Sequence, residues 1–409
     1  MKEHRDIDYT LLFLVLFFVL FWSIMISSVS VYDSYRITKR LVETGAINEP
    51  NNWRFILRNL LQAGIGLCAM VIALKIPYLW WKKQVKIISI WVMVMLLLVL
   101  IFWVKINGAR GWFDIPGIPF SLQPTEFLKL SIILSASAFC TKYKNLLQSN
   151  IDGFIPFMGI IWLPCFLVLL QPDLWALLII LPIAMSIYFI AGGNIRIILA
   201  LGLITLVMSS FLYVLGRYEK PEERWQFSYI YDRMNTFFQS KKSAIENNTM
   251  HHQNKQALIA IGSGGIFGLW FGDSVQKYGY LPEPQGDFIF SVIAEELWFI
   301  GAFLIICIYM AIIYRWFLIA SFCEENFWKF VAFGITVWIF WQMIVNISVN
   351  LSIFPNTGLT LPFVSYGGSS LLMMLLSIGI LLSISRTVPP NKKNIYSMIQ
   401  HYFLRKPHR

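Results

Sequence analysis

The chain has 409 residues, of which 57% are hydrophobic and only 13% charged, and its mean hydropathy is +0.64. Soluble domains carry roughly 25% charged residues, so the composition excludes an ordinary water-soluble protein and places most of the surface against lipid. The net charge of +11 does not point to nucleic acid, because no basic groove interleaved with aromatics is present.

A helix needs about 20 apolar residues to cross the hydrocarbon core. That rule predicts about ten transmembrane helices, over 9–30, 55–75, 86–105, 124–142, 154–171, 173–191, 195–216, 288–313, 327–350 and 364–385. The expected fold is all-α and polytopic, a single membrane domain over 1–409 with one long extracytoplasmic loop at 217–287. The first run follows a short charged tail and lacks a small-residue cleavage site, so it reads as a helix rather than a signal peptide.

Basic residues fix the orientation. Lys2, Arg5, Lys82, Lys83, Lys86, Lys142, Lys144 and Arg196 fall in tails or loops on one side, as do the Arg315–Lys329 stretch and Arg386, Lys392, Lys393, Arg405, Lys406 and Arg409. The positive-inside rule makes that side cytoplasmic, with both termini there and anionic lipid headgroups as neighbours. The five cysteines show no CxxC pair, which gives neither a disulfide framework nor a zinc site.

The opposite side carries four segments: KINGARGWFDIPGIPFSLQPTE after the third span, QPD at Gln171–Asp173, the long loop, and FPNTGLTLPFVSYGGSS. A loop well beyond about 15 residues is commonly functional. At its end Asp287 precedes the eighth span, where it could cap the helix or present a carboxylate to a lipid-attached substrate. Glu283 lies nearby, and Glu295 and Glu296 fall about two turns inside the span, where an ionisable group needs a partner or a role. Glycines 262, 264, 265, 268 and 272 let backbone approach a headgroup or pack helices closely. They form no nucleotide loop, because the Lys-Ser/Thr pair is missing.

Glu126 and Lys129 are three apart in QPTEFLK and share a helix face with Gln123, as a buried ion pair or a pyrophosphate or sugar contact. Arg110 in GARGW is a candidate phosphate cation or an interfacial anchor beside Trp112. Gln342, Asn346 and Asn350 make a polar stripe in the ninth span, which must face protein or a wet cavity. It runs toward Asn356, Ser365, Gly367, Gly368 and Ser369. His251 and His252 have no partners at metal-ligand spacing.

Together, GARGW, QPTEFLK, QPDL, IAIGSGGIFG, LPEPQGDFIFSVIAEEL and TGLTLPFVSYGGSS resemble, in order, the motifs of the SEDS family (shape, elongation, division and sporulation), which includes FtsW, RodA and SpoVE. GDSVQKYGYLPE and GLTLPFVSYGG are closer to the division and sporulation branch. The resemblance implies a glycosyltransferase of the bacterial cytoplasmic membrane that polymerises lipid II into glycan strands at the outer face, with a class B penicillin-binding protein as partner. It places the family's essential acid at Asp287, its Glu and Lys at Glu126 and Lys129, and its loop arginine at Arg110. Three positions depart from the family pattern: Gln285 and Gly286 replace a His-Thr-like pair, Trp298 replaces the glycine of EELG, and Gly111 replaces a second arginine.

On this reading Asp287 is the general base. Arg110 and Lys129 neutralise the leaving pyrophosphate, with Mg²⁺ or Mn²⁺ as candidate cation and no organic cofactor. Glu295, Asn346, Ser365, Gly367 and Gly368 are the further candidates for substrate contact. The competing readings are a lipid II flippase, which needs a polar path through the bilayer, and a non-catalytic scaffold for a transpeptidase.

Overall fold

The structure is a computed structural model and describes residues 6–102, 104–106, 109–113, 120–147, 151–171, 173–218, 249–265 and 268–388. In chain order the helices are α1 (Tyr9–Val29), α2 (Val31–Glu43), α3 (Arg54–Lys75), α4 (Tyr78–Ile101), α5 (Pro124–Lys142), α6 (Lys144–Leu147), α7 (Phe154–Leu170), α8 (Leu174–Ile190), α9 (Ile195–Tyr218), α10 (Thr249–Gly264), α11 (Ile289–Phe322), α12 (Asn326–Asn350) and α13 (Gly368–Ser385). Between α4 and α5, strands β1 (Val104–Ile106) and β2 (Ala109–Trp112) pair antiparallel, with Val104 opposite Trp112 and Ile106 opposite Ala109.

A helix overlies each of the ten expected spans. Six of these helices (α1, α3, α4, α11, α12 and α13) are long and apolar enough to cross a bilayer. A continuous helix satisfies its own backbone polar groups, which is what hydrocarbon demands; α11 is the exception, being kinked at Trp298. α7, α8 and the first part of α9 are shorter but apolar. α5 carries Glu126 and Lys129, yet most of its residues are buried among its neighbours.

The differences from the sequence reading lie where hydropathy is silent. α2 is amphipathic: Asp33, Ser34 and Thr38 are buried, and Thr38 Oγ1 donates to Asn51 O (2.9 Å) and accepts from Asn51 N (3.0 Å). Its mixed charge fails any rule that seeks 20 apolar residues. The expected long loop contains α10 and an ordered coil from 268 to 288, while 219–248 lies outside the described residues. α11 runs to Phe322, past the expected end at 313, and is kinked at Trp298 (φ 76°, ψ 172°).

Three of the basic residues assigned to one side, Lys82, Arg315 and Arg386, make contacts near one end of the bundle. At one end Arg315 Nη2 donates to both Asp8 oxygens (2.9 and 2.8 Å), and Asp8 N donates to Ser385 Oγ (3.1 Å). There too Lys82 pairs with Glu325, and Arg386 reaches Leu74 O (3.4 Å). These contacts gather the start of α1 and the end of α13 at one face. The other face gathers the end of α12, the starts of α5, α8, α11 and α13, and the loops between them.

α3 and α13 pack closely because small residues let their backbones approach, the usual device where lipid removes the hydrophobic drive. A Cβ at Gly379 would lie 2.3 Å from Met70 O and 2.7 Å from Ala73 Cβ, and one at Gly66 would lie 2.6 Å from Leu375 Cδ1. Gly379→Val should therefore lower stability by about 1–3 kcal/mol through overpacking, read as a lower thermal midpoint in detergent. An unchanged midpoint would mean the two helices can part without cost.

Candidate functional site

The centre of the site is the backbone around Asp287. Its carbonyl accepts from Asn346 Nδ2 (3.0 Å) and Asn350 Nδ2 (2.9 Å). Asp287 is not the N-cap of α11. That position is Phe288, which offers no side-chain cap. Asn350 takes over the task from α12, because its Oδ1 accepts from Ser291 N (3.0 Å) and Ser291 Oγ (2.7 Å). The Asp287 carboxylate lies against the backbone of Gly358, where a Cβ would stand 3.6 Å from Oδ2 and φ is +70°. A side chain at 358 would be conformationally strained, and its Cβ would rest in ordinary contact with the acid.

The same stripe holds the loop that faces the acid. Asn346 Nδ2 also donates to Leu359 O (2.7 Å), and Gln342 Nε2 donates to Thr360 O (2.9 Å). Gln342 Oε1 accepts from Trp338 Nε1 (2.8 Å) and Lys129 Nζ (3.1 Å). Lys129 in turn donates to Glu126 Oε1 (2.6 Å), with its side chain 1% exposed. Hydrogen bonds therefore run from Glu126 through Lys129 and Gln342 into the 359–360 backbone, and on through Asn346 to Asp287. The structure brings these residues together, yet Lys129 and Asn346 spend their donors on protein groups, and the Lys129 charge is matched by Glu126.

Ser365, Gly367 and Gly368 shape the loop and its junction with α13. Ser365 Oγ accepts from Leu361 N (2.7 Å), and Tyr366 N donates to Gln285 O (2.8 Å), two residues before the acid. A Cβ at Gly368 would meet Phe120 Cγ at 2.4 Å, and one at Gly367 would meet Thr360 Cγ2 at 3.1 Å. Beside them Ser369 Oγ accepts from Gln123 N (3.1 Å) and donates to Ser121 O (2.7 Å). Asp173 joins the same end, accepting from Gln123 Nε2 (3.3 Å) and Thr125 Oγ1 (3.4 Å) while capping α8 at Ala176 N (3.2 Å).

Glu295 stands apart from the acid. It is fully buried and accepts from Ser274 Oγ (2.5 Å), Val275 N (3.1 Å), Ser263 Oγ (3.4 Å) and Gln276 N (3.5 Å). Glu296 pairs with Lys277 (2.7 Å) and accepts from Ser28 Oγ (3.0 Å). These two carboxylates pin the 272–277 coil to α11 and α1. The glycines serve the same packing. A Cβ at Gly264 would lie 2.2 Å from Ala294 O, and one at Gly268 would lie 1.3 Å from Trp298 Cδ1. Leu269 N and Gly265 O bond Glu295 O (3.2 Å) and Phe299 N (3.4 Å), serving backbone groups on either side of the kink. Neither the Lys277–Glu296 pair nor the capping by Asn350 was legible in sequence, since each joins segments far apart in the chain.

Arg110 lies in β2, and its side chain falls outside the described residues. Among the described residues, no group of three His, Cys, Asp or Glu side chains comes together to hold a metal ion. His252 is exposed on α10, 3.3 Å from Gln256.

This geometry defines a polytopic helical membrane protein with an acid, Asp287, whose backbone is braced at the membrane-boundary end of its bundle. Comparison with known proteins is specific. The family model described as cell cycle protein, FtsW/RodA/SpoVE, matches residues 9–389. Stage V sporulation protein E of Bacillus subtilis (strain 168) is 36% identical over 339 residues, covering 81% of this chain and 87% of its own. The probable peptidoglycan glycosyltransferase FtsW of Trichlorobacter lovleyi is 34% identical over 81% of this chain and 83% of its own. Among solved structures, a chain from work on the structural coordination of polymerization and crosslinking by a peptidoglycan synthase complex superposes with a TM-score of 0.72. It is 24% identical over 94% of this chain and 99% of its own. The Thermus thermophilus rod shape determining protein RodA superposes with a TM-score of 0.64 at 24% identity, over 94% and 98% of the two chains. The chain belongs to the FtsW/RodA/SpoVE family.

Asn350→Ala should leave the Ser291 N–H with only Phe288 O as acceptor (3.1 Å), remove one of the two donors from the Asp287 carbonyl, and cost about 1–3 kcal/mol. The thermal midpoint in detergent would report it. A midpoint equal to wild type would show that the brace contributes nothing.

Proposed function

We propose that the chain is a peptidoglycan glycosyltransferase that joins lipid II units at the outer face of the cytoplasmic membrane, in division or sporulation. The observation that carries this reading is the placing of Asp287. Its backbone carbonyl, at the boundary end of the bundle, is held by two asparagines, and its carboxylate lies beside the backbone of Gly358. The relatives are named for the same activity.

The acceptor sugar hydroxyl attacks the anomeric carbon of the donor while Asp287 takes its proton. The bond from that carbon to the lipid pyrophosphate breaks, and its electron pair leaves on the phosphate oxygen. Glu126, Lys129, Gln342 and Asn346 keep the 359–360 backbone and the acid in register, which is the positioning that such a displacement needs. A divalent cation would take Asp287 as protein ligand together with pyrophosphate oxygens, since Mg²⁺ typically binds through one or two carboxylates plus substrate phosphates. When bound it would supply charge neutralisation to the leaving group. A flippase path would need open polar groups deep in the bundle, whereas Lys129, Gln342 and Asn346 are at most 1% exposed and bonded to protein.

The basic face that joins Asp8, Arg315 and Arg386 supports a topology with both termini in the cytoplasm. The natural partner is a crosslinking transpeptidase of the class B penicillin-binding type, which acts on the strands as they emerge.

Purified protein with such a partner, given lipid II and Mn²⁺ or Mg²⁺, should make glycan strands. Asp287→Ala, folded by its melting profile, should be at least about 100-fold slower, and chelation should lower the wild-type rate. Strands from Asp287→Ala at the wild-type rate would remove the acid from the chemistry. Translocation of lipid II in proteoliposomes without polymerisation would favour the flippase. A reporter fused after Arg409 should be reached only from the cytoplasm; access from outside would reverse the topology.

A further inference from the structure

Two arginines at the boundary end of α3 take no part in the bonds that hold the acid. Arg54 and Arg58 are four residues apart on one helix face, where like charges repel. Among the described residues neither forms a salt bridge. The Arg58 side chain hydrogen-bonds the phenol of Tyr366 and the charge of Arg54 acts on it; the Tyr366 backbone N–H is bonded to Gln285 O, two residues before Asp287. One turn beyond Arg58, Gln62 Nε2 donates to the Tyr366 hydroxyl (3.3 Å).

Beside them is unused hydrogen-bonding capacity. Asn59 is 1% exposed and Gln62 2%, yet neither amide atom of Asn59 has a partner, nor do Gln62 Oε1 and Gln285 Oε1. Buried amides without partners are costly unless a ligand or water completes them. Two unmatched cations beside open amide groups make an anion site that also offers bonds to hydroxyls. Lys129 cannot serve here, because Glu126 already matches it. Further along α3, Leu60, Leu61, Ile65 and Ile72 form an exposed apolar face, a surface suited to a hydrocarbon tail.

We propose that Arg54 and Arg58, with Tyr366, Asn59 and Gln62, hold the phosphate of a lipid whose tail lies along α3. Resting on the proposed function, the occupant is the pyrophosphate of a polyprenyl-linked sugar, delivered beside Asp287 through the Gln285–Tyr366 bond. Losing charge-assisted hydrogen bonds to a phosphate weakens binding by about tenfold or more.

The test uses the full chain and native mass spectrometry with three probes: undecaprenyl pyrophosphate, undecaprenol and phosphatidylglycerol. Wild type and Asp287→Ala should both retain the pyrophosphate lipid in preference to undecaprenol. Arg54→Ala/Arg58→Ala should bind it at least about tenfold more weakly, and Arg58→Lys should recover part of the loss. In the polymerisation assay the double variant should raise KM for lipid II more than it lowers kcat. A double variant that elutes and melts like wild type but binds the pyrophosphate lipid equally well overturns the site. Preference for phosphatidylglycerol makes a phospholipid headgroup the occupant and overturns the substrate assignment. If wild type makes no strands yet arginine-dependent binding persists, the proposed function fails and the lipid-phosphate site stands.

Discussion

The structure depends on a constraint set by the bilayer: a polar group that enters the bundle must find its partner inside the protein. α12 meets this with one polar stripe. Gln342, Asn346 and Asn350 sit four residues apart and are almost wholly buried. Between them they hold the carbonyls of Asp287, Leu359 and Thr360, the first turn of α11, and the Lys129 ammonium. Without the stripe, α11 would start with an uncapped turn and the 351–367 segment would have little to fix it against the acid.

A second brace acts from the other side. α11 is broken at Trp298, in a backbone region that only glycine adopts readily, a conformation that costs of order 1–3 kcal/mol and persists only where surroundings enforce it. They do so here. The glycine-rich segment supplies backbone groups to Glu295 and Phe299, Gly268 admits the indole, and Trp270 packs edge-on against it at 5.8 Å. Glu295 and Glu296 then fasten the following coil. The short segment of α11 that carries Asp287 at its start is thus held from α12 at one end and from the 264–277 coil at the other. Such immobility suits the role of general base proposed for Asp287, since proton transfer depends on position.

The chemistry at the boundary end follows from charge placement. Buried cations are paired, Lys129 with Glu126 and Lys277 with Glu296, because an isolated charge at that depth is too costly. Arginines near the headgroup plane can stay unmatched, since water and lipid phosphate lie within reach. The proposed phosphate site accordingly lies at a helix end, while the deep ion pairs hold the scaffold.

The sequence by itself determined the class and the frame. Length and hydropathy of each apolar run set the helices over the ten expected spans, because a segment in lipid has almost no alternative to satisfying its own backbone. Basic loops set which ends lie together, and the quoted motifs named the family. The i, i+4 spacing of Gln342, Asn346 and Asn350 made their shared face legible, as the i, i+3 spacing did for Glu126 and Lys129. What those faces touch was not legible. That Asn350 caps α11 in place of Asp287, that Glu295 serves a coil rather than the acid, and that the glycines admit a kinked tryptophan were decided only by tertiary structure. So were α2, α10 and the hairpin, whose mixed composition carries no span signal. These depend on contacts between segments up to hundreds of residues apart, and the local patterns that specify a helix contain no record of its neighbours.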